Sequence, residues 1–376
     1  MVQSSQRRLL AAGDEVVLRG GTYTDARRLV LRHRGQPDKP IVIRAATGQQ
    51  VVFRRPDARQ NTFNLEGTQH LHLIGIEITG GAAGIRIGPD GKTQPSDVRL
   101  ERLHIHHIGG VAVTCNHEGG LYQRMAFVEN EIHHTSGHGE AFYLGGNDAS
   151  AIFSNSLVAN NYIHDLNGDM ISQGDGIELK QGSFGNRVVG NVIHHTKYPG
   201  VTVYGTAGNS RNVIEGNLIW GTGDHGIQAA ADAVIRDNFI WNAGGCGIYS
   251  REHQGARPGN LQIIGNTIVA DDQPALRIIG ASRNVPQHGT IEVANNRWLA
   301  CKSCLAIRID NDPQIQWMEN VGIGKISGLE LSSSQWGAPR DTSVNLPALT
   351  GHPAWKKLDR REVEREINAL LLSKQR

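Results

Sequence analysis

The stretch GDGIELKQGSFGNRVVGN, residues 174–191, contains the frame on which the rest of the chain is built. Ile177 and Leu179 alternate with Glu178 and Lys180, the period of two expected of a β-strand with one buried face. A glycine turn follows, and Asn191 then opens a second short strand through Val192 and Ile193. The same Asn-x-Ile signature returns at Asn130, Asn161, Asn217, Asn238 and Asn266. With Asn191 in its place, successive asparagines stand 31, 30, 26, 21 and 28 residues apart. A period of roughly 20 to 30 residues with irregular insertions marks a solenoid.

A second strand class follows each of these after a turn and aligns on a glycine. It reads GIRIG from Gly84, GVAVT from Gly110, GEAFY from Gly139, GIELK from Gly176, GVTVY from Gly200, GIQAA from Gly226 and GIYSR from Gly247. Alternation sends the first and third residues after each glycine inward and the second and fourth outward. Residues 14–65 read as further short strands, with the repeat itself starting near residue 70. The expected fold is all-β: a right-handed single-stranded parallel β-helix, a solenoid, over residues 1–325. Residues 326–376 form a C-terminal loop and a short helix packing on it. That helix is expected over Asp359 to Lys374, with Val363, Ile367, Leu370 and Leu371 on one face.

Composition agrees. Hydrophobic residues make up 39% of the 376 positions while glycine reaches 46, which suits many turns around a thin core. A net charge of +2 gives no basic field for nucleic acid. No apolar run has the length of a membrane span. The N-terminal MVQSSQRRLLAAGDEV lacks the apolar core of a signal peptide. Cys301-Lys-Ser-Cys304 reads as small buried residues or a local disulfide, with half a metal site or a redox pair as the alternative.

Repetition also assigns structural roles. An amide that both donates and accepts can link rung to rung, so the repeated asparagines read as a ladder. His106, His133, His164 and His194 share one slot with Trp220 and Trp241. Imidazole is a metal ligand, but indole is not, so a stacked surface ladder of flat rings is the simpler expectation.

The outward slots hold a denser set. Tyr143, Lys180 and Tyr204 fall in the fourth position after their glycines, Glu178 in the second, and His138, Asp175 and His225 just before the glycine. Arg251 continues the Lys180 column as a further contact to substrate. Glu140 is expected to face inward, where a carboxylate is costly without a partner. Either the register slips there, most simply at a bulge near His138-Gly-Glu140, or a partner or metal holds it. Tyrosine beside lysine suits proton abstraction from the carbon next to a uronate carboxylate, provided that carboxylate is neutralised.

The run GDEVVLRGGTYTDARRLVLRHRGQPDKPIVIRAATGQQVVF, from Gly13, resembles the opening of the family six polysaccharide lyases, which include chondroitinase B and alginate lyases. The resemblance implies β-elimination with a lysine base and an arginine, and calcium held by acidic and amide side chains. Lys180 matches the base, Asp175 the acidic residue five before it, and Asn186 the following asparagine. Gln173 stands where the family has a second acidic ligand, and Tyr204 where it has the arginine. The expectation is a lyase on a uronate-containing acidic polysaccharide, with Lys180 as base and Tyr204 or Tyr143 as acid. His138, Glu178, His225 and Arg251 would contact substrate, and Asp175 and Glu140 would hold Ca2+ if a metal is used. A periplasmic or secreted monomer that binds neither nucleic acid nor membrane is expected. A uronate C5-epimerase, a glycoside hydrolase using Asp175, Glu178, Asp224 and Asp232, and a non-catalytic glycan-binding scaffold are the alternatives.

Overall fold

The computed structural model describes residues 10–25, 28–281, 285–339, 346, 349 and 351–375. Three parallel sheets of 12, 13 and 12 strands are stacked along the chain; twelve coils contribute one short strand to each sheet, and Trp336–Gly337 adds one more to the second. The first sheet runs from Glu15–Leu18 to Ile315–Met318, the second from Gly21–Thr24 to Trp336–Gly337, and the third from Val30–Leu31 to Lys325–Ser327. This is the parallel β-helix. The repeat begins with the first described strand rather than near residue 70, because the early coils lack the Asn-x-Ile signature but stack on the same sheets.

Inward side chains form columns of like residues. Ile105, Ile132, Ile163, Ile193, Ile219, Ile240 and Ile268 lie in register on successive coils and are fully buried. Burying each such side chain contributes roughly 1.5–3 kcal/mol. The asparagine ladder forms at the turn into the second sheet. From Asn130 through Asn161, Asn191, Asn217, Asn238 and Asn266, each side-chain Nδ2 donates to the next Oδ1 at 2.9 Å. It continues through Asn296 to Asn320, where Trp298 and Gly322 replace the isoleucine and hide the motif. Asn186 belongs to a second ladder: its Nδ2 donates to Asn212 Oδ1 at 3.0 Å and to the Phe153 carbonyl at 2.8 Å. It is fully buried and committed to those bonds, not to a ligand.

The ring ladder also forms. Centroids of His106, His133, His164, His194, Trp220 and Trp241 lie 5.2, 4.7, 5.4, 4.3 and 4.5 Å apart along the stack. Its later rungs are not at the surface. The helix Arg360–Gln375 lies across the outer face of the second sheet and places Val363, Ile367 and Leu371 in one apolar cluster with Tyr162, Trp220 and Trp241. The helix therefore covers a side of the solenoid. It starts one residue later than expected because Asp359 precedes it as a cap, its Oδ1 accepting from the Arg361 N–H at 2.9 Å.

In the third sheet the register differs from the glycine alignment at two coils. Val113 pairs with Phe142, and Phe142 with Ile177. Ala112 and Ala141 thus occupy the glycine slot, while Gly110 and Gly139 sit two residues back in the turn. A Cβ on Gly110 would lie 2.5 Å from the Ala82 carbonyl oxygen, so close packing explains that glycine. A slip of two leaves every apolar residue facing inward, so alternation alone does not detect it. The true outward column is Arg86, Thr114, Tyr143, Glu178, Thr202, Gln228, Tyr249 and Arg277. Glu140 consequently falls level with Asp175, each two residues before a paired strand position. The register slip, not an inward-facing strand site, accounts for it.

Candidate active site

The strand Ile177–Leu179 buries Ile177 and Leu179 in the core and turns Glu178 outward. Lys180 follows as the chain leaves the strand. The outward side chains lie under a cleft of about 380 Å³ on the third sheet. Neighbouring coils and a loop carrying His253 and Gln254 wall the cleft, and its floor is buried: Glu178 is 3% exposed and Lys180 4%.

At the floor three groups share one oxygen. Lys180 Nζ donates to Glu178 Oε1 at 2.7 Å, and the Tyr204 hydroxyl donates to the same Oε1 at 3.0 Å. Lys180 Nζ and Tyr204 Oη are 3.4 Å apart. The Tyr143 and Tyr204 rings flank the lysine, with centroids 5.0 and 4.7 Å from Nζ. Tyr143 is the strand neighbour of Glu178, not of Lys180 as the glycine frame predicted, yet its ring still reaches the ammonium. Burial, with the Glu178 charge added, pushes the pKa of both phenols up, so both stay protonated at neutral pH.

Beside this triangle lie two more carboxylates. One oxygen each of Glu140, Asp175 and Glu178 falls within 4.8 Å of the others. Asp175 Oδ1 accepts from the Thr202 hydroxyl at 2.6 Å. Both Glu140 oxygens and Glu178 Oε2 are buried without a hydrogen-bond partner. Burial first, then the Glu178 charge, pushes Asp175 upward and Glu140 to about 7.

Residues 60–298 match the family described as the right-handed β-helix region. The chain belongs to the right-handed β-helix family. Similar solved structures include the A-module of mannuronan C-5 epimerase AlgE6 from Azotobacter vinelandii. It is 17% identical with a TM-score of 0.59, over 87% of this chain and 92% of that one. A mannuronic acid specific polysaccharide family 6 lyase from human gut microbiota is 16% identical, with a TM-score of 0.56, over 96% and 94%. The family 6 alginate lyase AlyGC is 16% identical with a TM-score of 0.55; 88% of this chain covers 51% of that one. At these identities the likeness is one of fold. No curated protein matches the chain.

Within this β-helix the expected residues separate into three groups. Lys180, Tyr204, Tyr143, Glu178 and Asp175 converge, with Glu140 just behind them. His138 stands at the rim, its side chain 66% exposed and its Nδ1 3.7 Å from Glu140 Oε1; Arg251 also borders the cleft. His225 is a correction: it does not line the cleft. Its Nδ1 accepts from the Cys246 N–H at 2.8 Å and its ring packs 4.0 Å from that of Tyr249. Asp232, considered for hydrolysis, is occupied by the Thr206 N–H and the Asn260 amide. Thr202, Gln228 and His253 were missed. The first two stand in the outward column but are uncharged. His253 packs edge-on against Tyr204 and receives the Gln228 amide at 2.9 Å, from a loop with no repeat to mark it. Cys301 and Cys304 form a disulfide. Among the described residues, no helix is long and apolar enough to cross a membrane.

Proposed function

We propose that this protein is a polysaccharide lyase that cleaves a uronate-containing acidic polysaccharide by β-elimination. The observation that carries the reading is the buried Lys180–Glu178–Tyr204 triangle beneath an open cleft on a long sheet. Glu178 Oε1 holds Lys180 Nζ at 2.7 Å, and the lysine reacts as the free amine. The free amine then removes the proton from the carbon beside the uronate carboxylate. As the double bond forms, the bond to the leaving oxygen breaks, and the Tyr204 hydroxyl protonates that oxygen. The Lys180 ammonium returns a proton to the phenolate across 3.4 Å. The buried floor shields both transfers from bulk solvent.

An extended substrate has room to continue along the same sheet. A second cleft of about 520 Å³ lies over the N-terminal coils and is bordered by Arg28, Arg86 and Lys92. Arg86 is three rungs from Glu178 in the outward column, about 14 Å at ordinary strand spacing. The disulfide fits an oxidising periplasmic or extracellular setting.

Incubation with alginate, chondroitin and pectate should produce the ultraviolet absorbance of unsaturated sugar ends on one of them. The same proton removal followed by return to the opposite face would make a C5-epimerase. That reading is supported by the likeness to the mannuronan C-5 epimerase module, and altered uronate stereochemistry by proton NMR without absorbance would select it. Neither change on any acidic glycan would sink both.

Glu140, Asp175 and Glu178 fit a hard divalent cation such as Ca2+. They offer three converging carboxylates, with three oxygens that no hydrogen bond satisfies. Bound there, the ion would supply positive charge to offset a uronate carboxylate. Calcium should raise the melting temperature of the wild type, and a chelator should reverse the rise. Glu140→Gln should abolish most of the calcium-dependent shift; an unchanged shift would remove this cluster as the site.

A further inference from the structure

The outer face of the second sheet carries a side-chain cluster that elimination does not use. His106-His107, His133-His134, His164-Asp165 and His194-His195 occupy one register on four consecutive coils. The second residue of each pair has a left-handed φ of 52° or 53°. This folds the two side chains toward each other. Nδ1 to Nδ1 separations are 2.7, 2.6 and 2.7 Å in the three histidine pairs, and His164 Nδ1 lies 2.8 Å from Asp165 Oδ2. On the next two coils Gly221 and Asn242 follow the stacked tryptophans with φ of 59° and 49°. Glycine and asparagine tolerate that conformation, so the backbone requires no imidazole in the slot.

At the last pair a third donor completes a set. Asp165 Oδ1 stands 3.8 Å from His195 Nδ1, and one ligand atom each of Asp165, His194 and His195 lies within 4.8 Å of the others. Each of two ligands is oriented from behind. The Tyr162 hydroxyl is 3.0 Å from His194 Nε2, which leaves Nδ1 to face the cluster. His164 Nδ1 contacts the other oxygen of Asp165. Outer partners of this kind fix the orientation of metal-binding histidines and carboxylates. The side chains of Asp165 and His195 are 40% and 49% exposed, so the cluster is open on one side.

We propose that Asp165, His194 and His195 form a binding site for a divalent d-block cation such as Zn2+. Two imidazole nitrogens and one carboxylate oxygen, with a position left for water, are the donor set such ions take. The His194 and His195 Nδ1 atoms already face each other at 2.7 Å. The bound ion would tie the coil of Tyr162–Leu166 to that of Val192–Thr196.

The test is titration of the untagged, metal-stripped protein with Zn2+ against a chromogenic chelator, with melting curves at each metal level. The comparison is His195→Asn, which keeps a residue suited to the left-handed slot as Asn242 does. Asp165→Asn serves as a second variant. Wild type should bind zinc and melt at a higher temperature with it. Both variants should match the metal-free wild type in melting temperature yet bind zinc at least about tenfold more weakly. Equal zinc affinity in wild type and both variants, or no zinc-dependent rise in wild-type melting, overturns the proposal.

Discussion

Lys180→Ala lowers turnover of the acidic polysaccharide by about 10²- to 10⁴-fold, the contribution expected of a positioned general base. The loss falls on kcat, because Lys180 is 4% exposed at the cleft floor and offers little surface for ground-state binding. Lys180→Arg does not restore the rate. A guanidinium stays protonated at any working pH and cannot take the substrate proton. Tyr204→Phe also lowers kcat, since it removes the hydroxyl that donates to Glu178 Oε1 and with it the acid. Steady-state kinetics on the polysaccharide that gives unsaturated ends, with circular dichroism to show that each variant folds, measure this. A loss below tenfold in Lys180→Ala means that the lysine is not the base. The roles of Glu178 and the phenols would then need reassignment, with a carboxylate taking the proton.

The alternation of Ile177 and Leu179 with Glu178 and Lys180 was enough to set the strand, its buried face and the outward charge. The fold was legible because six consecutive coils, from Asn130 to Asn266, solve the same problem with the same residues: an asparagine at the turn and an isoleucine after it. Register was less legible. Gly110 and Gly139 are needed where the turn packs closely, and they imitate the slot glycine two residues away. Inside and outside have a period of two, so the imitation carries no penalty in the pattern. Glu140 is buried, as expected, but on the rung below Asp175 in the turn rather than at an inward strand position. His225 failed for a related reason. Its slot precedes the glycine as those of His138 and Asp175 do, but its ring packs 4.0 Å from that of Tyr249. His253 lies in a loop outside the repeat, and nothing in the spacing connects it to Tyr204.

Asn191→Ala destabilises the protein by about 2 to 5 kcal/mol, the cost of leaving buried polar groups unpaired at one rung. The Asn191 side chain makes four bonds. Its Oδ1 accepts from the Asn161 N–H at 3.0 Å and from Asn161 Nδ2 at 2.9 Å. Its Nδ2 donates to the Val158 carbonyl at 3.0 Å and to Asn217 Oδ1 at 2.9 Å. Asn161 Nδ2 keeps the Phe127 carbonyl, and Asn217 Oδ1 keeps the Asn191 N–H. The backbone N–H of Asn161 loses its side-chain acceptor, at a position sealed from water. Asn191→Asp separates the two halves of the amide. The acid retains the acceptor but sets an anionic oxygen against Val158 O and Asn217 Oδ1, two acceptors. Its folded pKa is thereby raised above the unfolded value of about 3.9. The folded state then binds the proton more tightly, so the penalty is full above the folded pKa and fades as pH falls toward the unfolded one. Urea unfolding at pH 7 should rank wild type above Asn191→Ala and Asn191→Ala above Asn191→Asp. At pH 5 the aspartate variant should recover part of its deficit while alanine's stays constant. If Asn191→Asp matches wild type at pH 7, the donor half of the ladder contributes nothing. The repeated asparagines would then be chosen for their acceptor alone.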